Sequence, residues 1–180
     1  MNIRPAQLKD APAMARVMVD TYLTAHHGQI PEAAWQKRKD EWGYAESEAG
    51  WRRSISAIAD DGEQMCICVA VNDRDEVVGV VVGHPTETPQ VGELSALYVR
   101  PEAQGQGIGR QLVQAAAAHL AAMGCTELHI ATLAANAPAR RFYEAIGGTV
   151  VGEREFDEEG VLLPEVVYGW PDIEVFLTEP

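Results

Sequence analysis

A single α/β domain, with a mixed and mostly antiparallel twisted sheet of about six to seven strands flanked by helices, is the architecture the sequence predicts. Three observations carry it. Amphipathic helical stretches come first, β-rich runs take over near residue 63, and from residue 93 a strand, a glycine-rich loop, a helix and a further strand follow in order. At 180 residues the chain can bury one core without staples, and no linker, internal repeat or low-complexity stretch splits residues 1–180.

Ile3 and Arg4 open the chain as a short strand. In LKDAPAMARVMVDTYLTAHH, Asp10 is a candidate N-cap, and Met14, Val17, Met18 and Tyr22 recur at helical spacing. Two more helical stretches are expected near residues 31–42 and 46–59, the second with Trp51, Ile55 and Ile58 on one stripe. MCICVAV and EVVGVVVG read as a hairpin turning at NDRD, because β-branched runs flank residues that favour tight turns. ELSALYV is the next strand, reached through the loop HPTETPQVG. After the glycines, Ile108, Leu112, Ala115, Ala116, Leu120 and Met123 form a helical stripe that Gly124 ends. Residues 127–133 form another strand. In NAPARRFYEAIGG, Asn136 can cap a short helix, Ala139, Phe142 and Ile146 share a face, and Gly147 can terminate it. TVVGEREF and VLLPEVVYGW close the chain as two strands joined by the acidic turn DEEG.

Composition limits the function. No stretch approaches the roughly 20 apolar residues that span a bilayer, so a soluble protein without a membrane partner is expected. The first residues, MNIRPAQLKDAP, lack the basic-then-apolar pattern of a secretory signal, which makes the cytoplasm the default compartment. Cys66, Cys68 and Cys125 match no zinc spacing and read as free buried thiols, and no metal is expected. A formal net charge of −13 argues against nucleic acid, whose backbone is bound by clustered Lys and Arg, and is compatible with a cationic acceptor.

RPEAQGQGIGRQLV carries the chemistry. Small residues between a strand and a helix leave backbone N–H groups uncovered, and a helix start adds unpaired donors and a positive dipole end, which together hold an anion. A dinucleotide GxGxxG would begin at Gly105 and Gly107 but needs a glycine where Arg110 stands, and the GxxxxGK[ST] phosphate loop has no lysine nearby. Gln104, Gly107 and Gly109 instead fit [QR]xxGx[GA], after the strand ELSALYV and Pro101. With NAPARRFYEAIGG downstream, this resembles the GNAT superfamily of acetyl coenzyme A-dependent N-acetyltransferases. The two blocks occupy residues 93–109 and 136–148, and the order of the other elements extends the resemblance over nearly the whole chain.

The resemblance implies a GNAT-like fold with splayed central strands, an acetyl coenzyme A-binding core over residues 93–148, and an acceptor side in the N-terminal helices, residues 8–60. It implies that the pyrophosphate lies on backbone N–H groups of Gln104, Gly105, Gln106, Gly107, Ile108 and Gly109, with Arg110 beside them. The pantetheine arm would pair with Leu97, Tyr98 and Val99 as an added strand, and a backbone N–H of Tyr98 or Val99 would face the thioester oxygen. Asn136 would contact that arm or serve as a helix cap. Tyr143 would protonate the departing thiolate, a role suited to a phenol of pKa about 10. Glu93 would accept the amine's proton through a water, or be a solvated strand end. On the acceptor side Tyr22, His26, His27 and Trp35 are the substrate candidates.

The function expected is acetyl transfer by direct attack of a primary amine, on a small molecule (polyamine-like or otherwise) or on a peptide or protein. A non-catalytic acyl coenzyme A sensor would use the same loop, and a different acyl chain would be decided by the pocket beside the thioester. A homodimer is an expectation from the family alone.

Overall fold

Every residue of the strand Cys66–Val71 (β2) is buried, and so are the first seven of Val77–Pro85 (β3). Runs that are apolar on both faces must be covered on both faces. Helix Ala11–His26 (α1) covers one side, placing Met14 and Val17 against Val69, Val80 and Ala96, with Trp51 and Ile55 of Tyr44–Asp60 (α3) in the same cluster. Helix Ile108–Ala122 (α4) covers the other, where Leu112, Ala116 and Leu120 meet Cys68, Val81 and Leu128. Leu112 and Leu120 are fully buried, and truncating such a leucine to alanine costs about 2–5 kcal/mol.

The computed structural model describes residues 1–60 and 64–177. The remaining elements are β1 (Asn2–Pro5), α2 (Glu32–Glu41), β4 (Val91–Val99), β5 (Glu127–Leu133), α5 (Ala137–Ala145), β6 (Thr149–Glu158) and β7 (Val161–Trp170). The seven strands make one sheet in the order β1-β2-β3-β4-β5-β7-β6, antiparallel except between β4 and β5. No helix among the described residues is long and apolar enough to cross a membrane.

The sheet splits in its middle. β4 and β5 pair only from Val91↔Glu127 to Leu94↔Ile130; beyond that, β4 stays with β3 and β5 with β7. Ser95 causes part of this. Val82 faces Ala96 and Gly83 faces Leu94, so Ser95 is the extra residue of a bulge, which bends β4 away from its neighbour. The bulge also sends Leu94 to the α4 side and Ala96 to the α1 side.

Three local expectations are corrected. Asp10 precedes α1 but does not cap it with its side chain; its carboxylate accepts from both Arg4 guanidinium nitrogens (2.7 and 2.9 Å) and from the Gln7 N–H (2.8 Å). HPTETPQVG is not all loop, since His84 and Pro85 continue β3 opposite Glu93 and Gly92. DEEG is not all turn: β6 runs through Glu158, and only Glu159 and Gly160 turn, with φ of 54° and 85°. Positive φ at both central residues fits the two-residue hairpin turn whose twist matches the strands.

Candidate active site

The split between β4 and β5 opens into a cavity of about 880 Å³ that reaches from the glycine loop to α1. Residues 94–99 form one wall and residues 130–133 the other, while Asn136, Phe142 and Tyr143 line it from α5. Backbone direction sorts the β4 wall. The Arg100 N–H donates to the Val78 carbonyl (2.9 Å), and neighbouring strand residues turn their backbone groups to opposite edges. Tyr98 therefore turns its N–H to β3, which leaves Val99 of the two residues expected as oxyanion donor. Leu97 and Val99 turn theirs to the gap, and the Val99 carbonyl on that side accepts from Gln104 Nε2 (2.9 Å).

At the loop, Gly105 and Gly107 have φ of +73° and +77°, where an L side chain is strained. A Cβ on Gly105 would meet nothing within 4 Å, so the space above it is open. Gly107 begins α4 without a capping side chain, and the Gln111 N–H is the first in the helix to reach a carbonyl, that of Gly107 (3.1 Å). The N–H groups of Ile108, Gly109 and Arg110 find no backbone carbonyl among the described residues, and they sit at the positive end of the helix dipole. These donors fit the pyrophosphate of coenzyme A. Gly109 has a different reason: a Cβ there would stand 3.0 Å from the Phe142 ring, so this glycine lets α5 pack on the start of α4. Gln106 and Arg110 are exposed, and their side chains lie outside the cavity wall.

Asn136 Oδ1 accepts from the Ala139 N–H (3.2 Å), so it caps α5 while lining the cavity. Tyr143 is 6% exposed, with its ring 5.6 Å from Tyr168 and 5.4 Å from Phe142. Its hydroxyl has no hydrogen-bond partner among the described side chains. Burial pushes the Tyr143 phenol well above its ordinary pKa, and neighbouring Tyr98 adds to the shift. Burial likewise raises Tyr98, to about 12, with Glu158 and Glu165 contributing.

Glu93 stands apart from the cavity wall. Both of its oxygens accept from Arg154 (2.9 and 3.4 Å), and Arg154 Nε donates to Glu165 Oε2 (2.9 Å). Of these two carboxylates Glu165 lines the cavity and Glu93 does not.

Tyr22 and His26 of α1 line the far end, their rings 4.2 Å apart. His26 Nδ1–H donates to the Tyr22 carbonyl (2.9 Å), and burial lowers the imidazole pKa, keeping the ring neutral. His27 and Trp35 fall elsewhere, a correction to their expected place. They pack edge-on at 4.7 Å beside a separate shallow hollow, and Trp35 Nε1 is spent on the Leu23 carbonyl (3.0 Å).

A sequence profile of the family described as acetyltransferase (GNAT) matches residues 30–148. The chain belongs to that family. It is 31% identical over 182 residues to the uncharacterized N-acetyltransferase YuaI of Bacillus subtilis, covering 99% of this chain and 97% of that one. It is also 31% identical over 140 residues to the peptidyl-lysine N-acetyltransferase YjaB of Salmonella typhimurium, covering 63% of this chain and 82% of the other. Among solved structures, PaiA N-acetyltransferase from Thermoplasma acidophilum in complex with coenzyme A superposes with a TM-score of 0.71 at 20% identity, over 91% of this chain and 96% of that one. That likeness shows the fold.

This N-acetyltransferase has site residues that the motifs did not reveal. Glu158 is 0% exposed; its Oε1 accepts from Arg38 Nε (2.7 Å) and its Oε2 from the Tyr22 hydroxyl (2.7 Å). Burial, then this bond, raise the Tyr22 pKa. Trp42 and Phe156 complete the wall beside it. The signal was alternation in GEREFDEEG: Arg154, Phe156 and Glu158 share one face of a strand if the strand runs past the first acidic residues.

Proposed function

We propose that this N-acetyltransferase takes acetyl coenzyme A as its donor and transfers the acetyl group to a primary amine by direct attack. One observation carries the reading: the split between β4 and β5 leads directly to a glycine loop whose N–H groups from Gly105 to Arg110 find no backbone carbonyl among the described residues, while that of Gln104, expected with them, is spent on the Pro101 carbonyl (3.2 Å). Acetyl coenzyme A supplies an activated acyl thioester. The loop N–H groups from Gly105 to Arg110 hold the pyrophosphate, and the gap-facing backbone of Leu97 and Val99 takes the amide-bearing arm as a third strand would. The Val99 or Leu97 N–H stabilises charge on the thioester oxygen as the C–N bond forms and the C–S bond breaks.

Tyr143 holds the proton that the departing thiolate takes, and its raised pKa keeps the phenol protonated throughout the working range. The ammonium loses one proton to water in the cavity before attack, and the proton that remains in excess on nitrogen once the C–N bond forms is returned, through water, to the Tyr143 oxygen. Glu93 supports this only indirectly, because both its oxygens are held by Arg154 and it lies off the wall. Residues 8–60 form the acceptor side through α1 and α2, and residues 93–148 the donor core.

The test has two stages. Acetyl coenzyme A at a hundred times its Kd should stabilise the fold by about 2.7 kcal/mol, whereas NAD and ATP at the same concentration should do far less. Free thiol should then appear with at least one primary amine. Equal stabilisation by the three nucleotides would sink the donor assignment, and binding without thiol release would make the domain an acyl coenzyme A sensor.

A further inference from the structure

We infer that the acceptor carries a second ammonium group besides the amine that reacts, and that Glu165 of β7, His26 of α1 and Tyr98 of β4 form its seat at the far end of the cavity; this rests on the donor site proposed above. All three residues line the cavity. Two carboxylates divide one cation here, since Arg154 gives Nη1 and Nη2 to Glu93 and Nε to Glu165 Oε2. Together the three side chains keep one negative charge. Glu165 presents it to the cavity, because Glu93 lies off the wall and no hydrogen bond from the described residues reaches Glu165 Oε1. The Glu165 side chain is only 12% exposed, and a carboxylate so covered calls for a cation to complete its pairing. Arg38, the other cation of the wall, is committed to Glu158 and Glu159.

The neighbours of Glu165 suit an ammonium. His26 donates Nδ1–H to the Tyr22 carbonyl (2.9 Å), which leaves Nε2 as an acceptor, and its neutral ring brings no competing charge. The side-chain atoms sealed away without a partner are those of Thr21, Gln29 and Trp51, so the Tyr98 hydroxyl and Glu165 Oε1 are open to an occupant. The charge of Glu165 acts on both His26 and Tyr98, as expected of groups that face one another across the cavity. Three acceptors match the three donors of an ammonium. A carboxylate seat favours the charged form of an amine, whereas the attacking nitrogen must be neutral. The seat is also one ring removed from the thiolate's proton donor: Glu165 raises the Tyr98 phenol, and Tyr98 in turn raises Tyr143. The reacting amine is therefore a different nitrogen of the same acceptor.

Cadaverine and pentylamine share one carbon chain and differ by one ammonium. Thiol release with each, at saturating acetyl coenzyme A and about 0.15 M salt to mute long-range attraction, reads the inference. The wild-type kcat/KM should favour cadaverine by about tenfold or more, the worth of a hydrogen bond to a charged group. Glu165→Gln should cut that ratio by about tenfold. Glu93→Gln should cut it by about threefold from outside the cavity, because Arg154 then neutralises Glu165 alone, an effect that a purely structural Glu165 would not give. If Glu165→Gln fails to fold, Glu93→Gln carries the comparison. Equal or better use of pentylamine by the wild type, or a ratio that survives the substitution, overturns the inference. If neither amine releases thiol while acetyl coenzyme A still stabilises the protein, the catalytic reading is what fails; if acetyl coenzyme A does not stabilise it, the donor reading fails. The inference is then decided by binding: cadaverine, at a concentration where pentylamine has no effect, should raise the melting temperature of the wild type and not that of the substituted protein, and equal shifts in the two proteins overturn it.

Discussion

Tyr143 joins a packed ring to a hydroxyl proposed as the proton donor. The motif made Phe142 and Ile146 the core face of their helix and left Tyr143 free, yet Tyr143 is the buried residue of α5, with Tyr168 and Phe142 around its ring. The ring packs, and the hydroxyl is the proposed proton donor. Tyr143→Phe keeps that packing, so the melting temperature should hold while kcat falls about a hundredfold, as expected when a positioned proton donor is lost. An unchanged kcat at every pH would remove the assignment. Glu93→Gln makes the contrast: it weakens one ion pair with a half-exposed arginine, and kcat should stay within about threefold. A loss as large as that of Tyr143→Phe would return the base role to Glu93.

Among elements, the strand, glycine loop and helix around residues 91–122 were legible because they are local. Strand, glycines and helix start are contiguous, and glycine at 105 and 107 permits the positive φ found there. The proposed acceptor side brings together Tyr22, Arg38 and Glu158, whose separation along the chain leaves no periodic signal linking them. Reading DEEG as a turn hid Glu158, because acidic residues beside a glycine look like turn chemistry until the strand pairing of β6 and β7 extends to Glu158↔Val161. The splay was likewise invisible from composition, since it depends on where β5 leaves β4. The glycine loop supports a separable prediction. Gly107→Ala forces a side chain into the left-handed region at a cost of about 1–2 kcal/mol and tilts the first N–H groups of α4. KM for acetyl coenzyme A should rise severalfold with KM for the amine unchanged, and a rise in both would place the loop's influence beyond the donor.

For the whole molecule, attraction and recognition are separate. The net charge of −13 creates a field that draws ammonium compounds of every kind toward the surface. Inside the cavity, Glu158 faces Arg38, and Glu165 shares Arg154 with Glu93, so that field is answered locally except for one carboxylate charge. Salt tells the two apart. Raising ionic strength from about 0.01 to about 0.1 M shortens the screening length from about 30 to about 10 Å, which removes long-range steering but barely touches buried pairs. With acetyl coenzyme A saturating, kcat/KM for an amine should therefore fall over this range, by a larger factor for a doubly charged amine than for a singly charged one, while kcat holds steady. The ratio of kcat/KM for a singly charged amine to that for a doubly charged one should therefore rise in the same titration. A ratio independent of salt would mean that the acidic surface contributes nothing to acceptor capture, and that selection rests on the cavity wall alone.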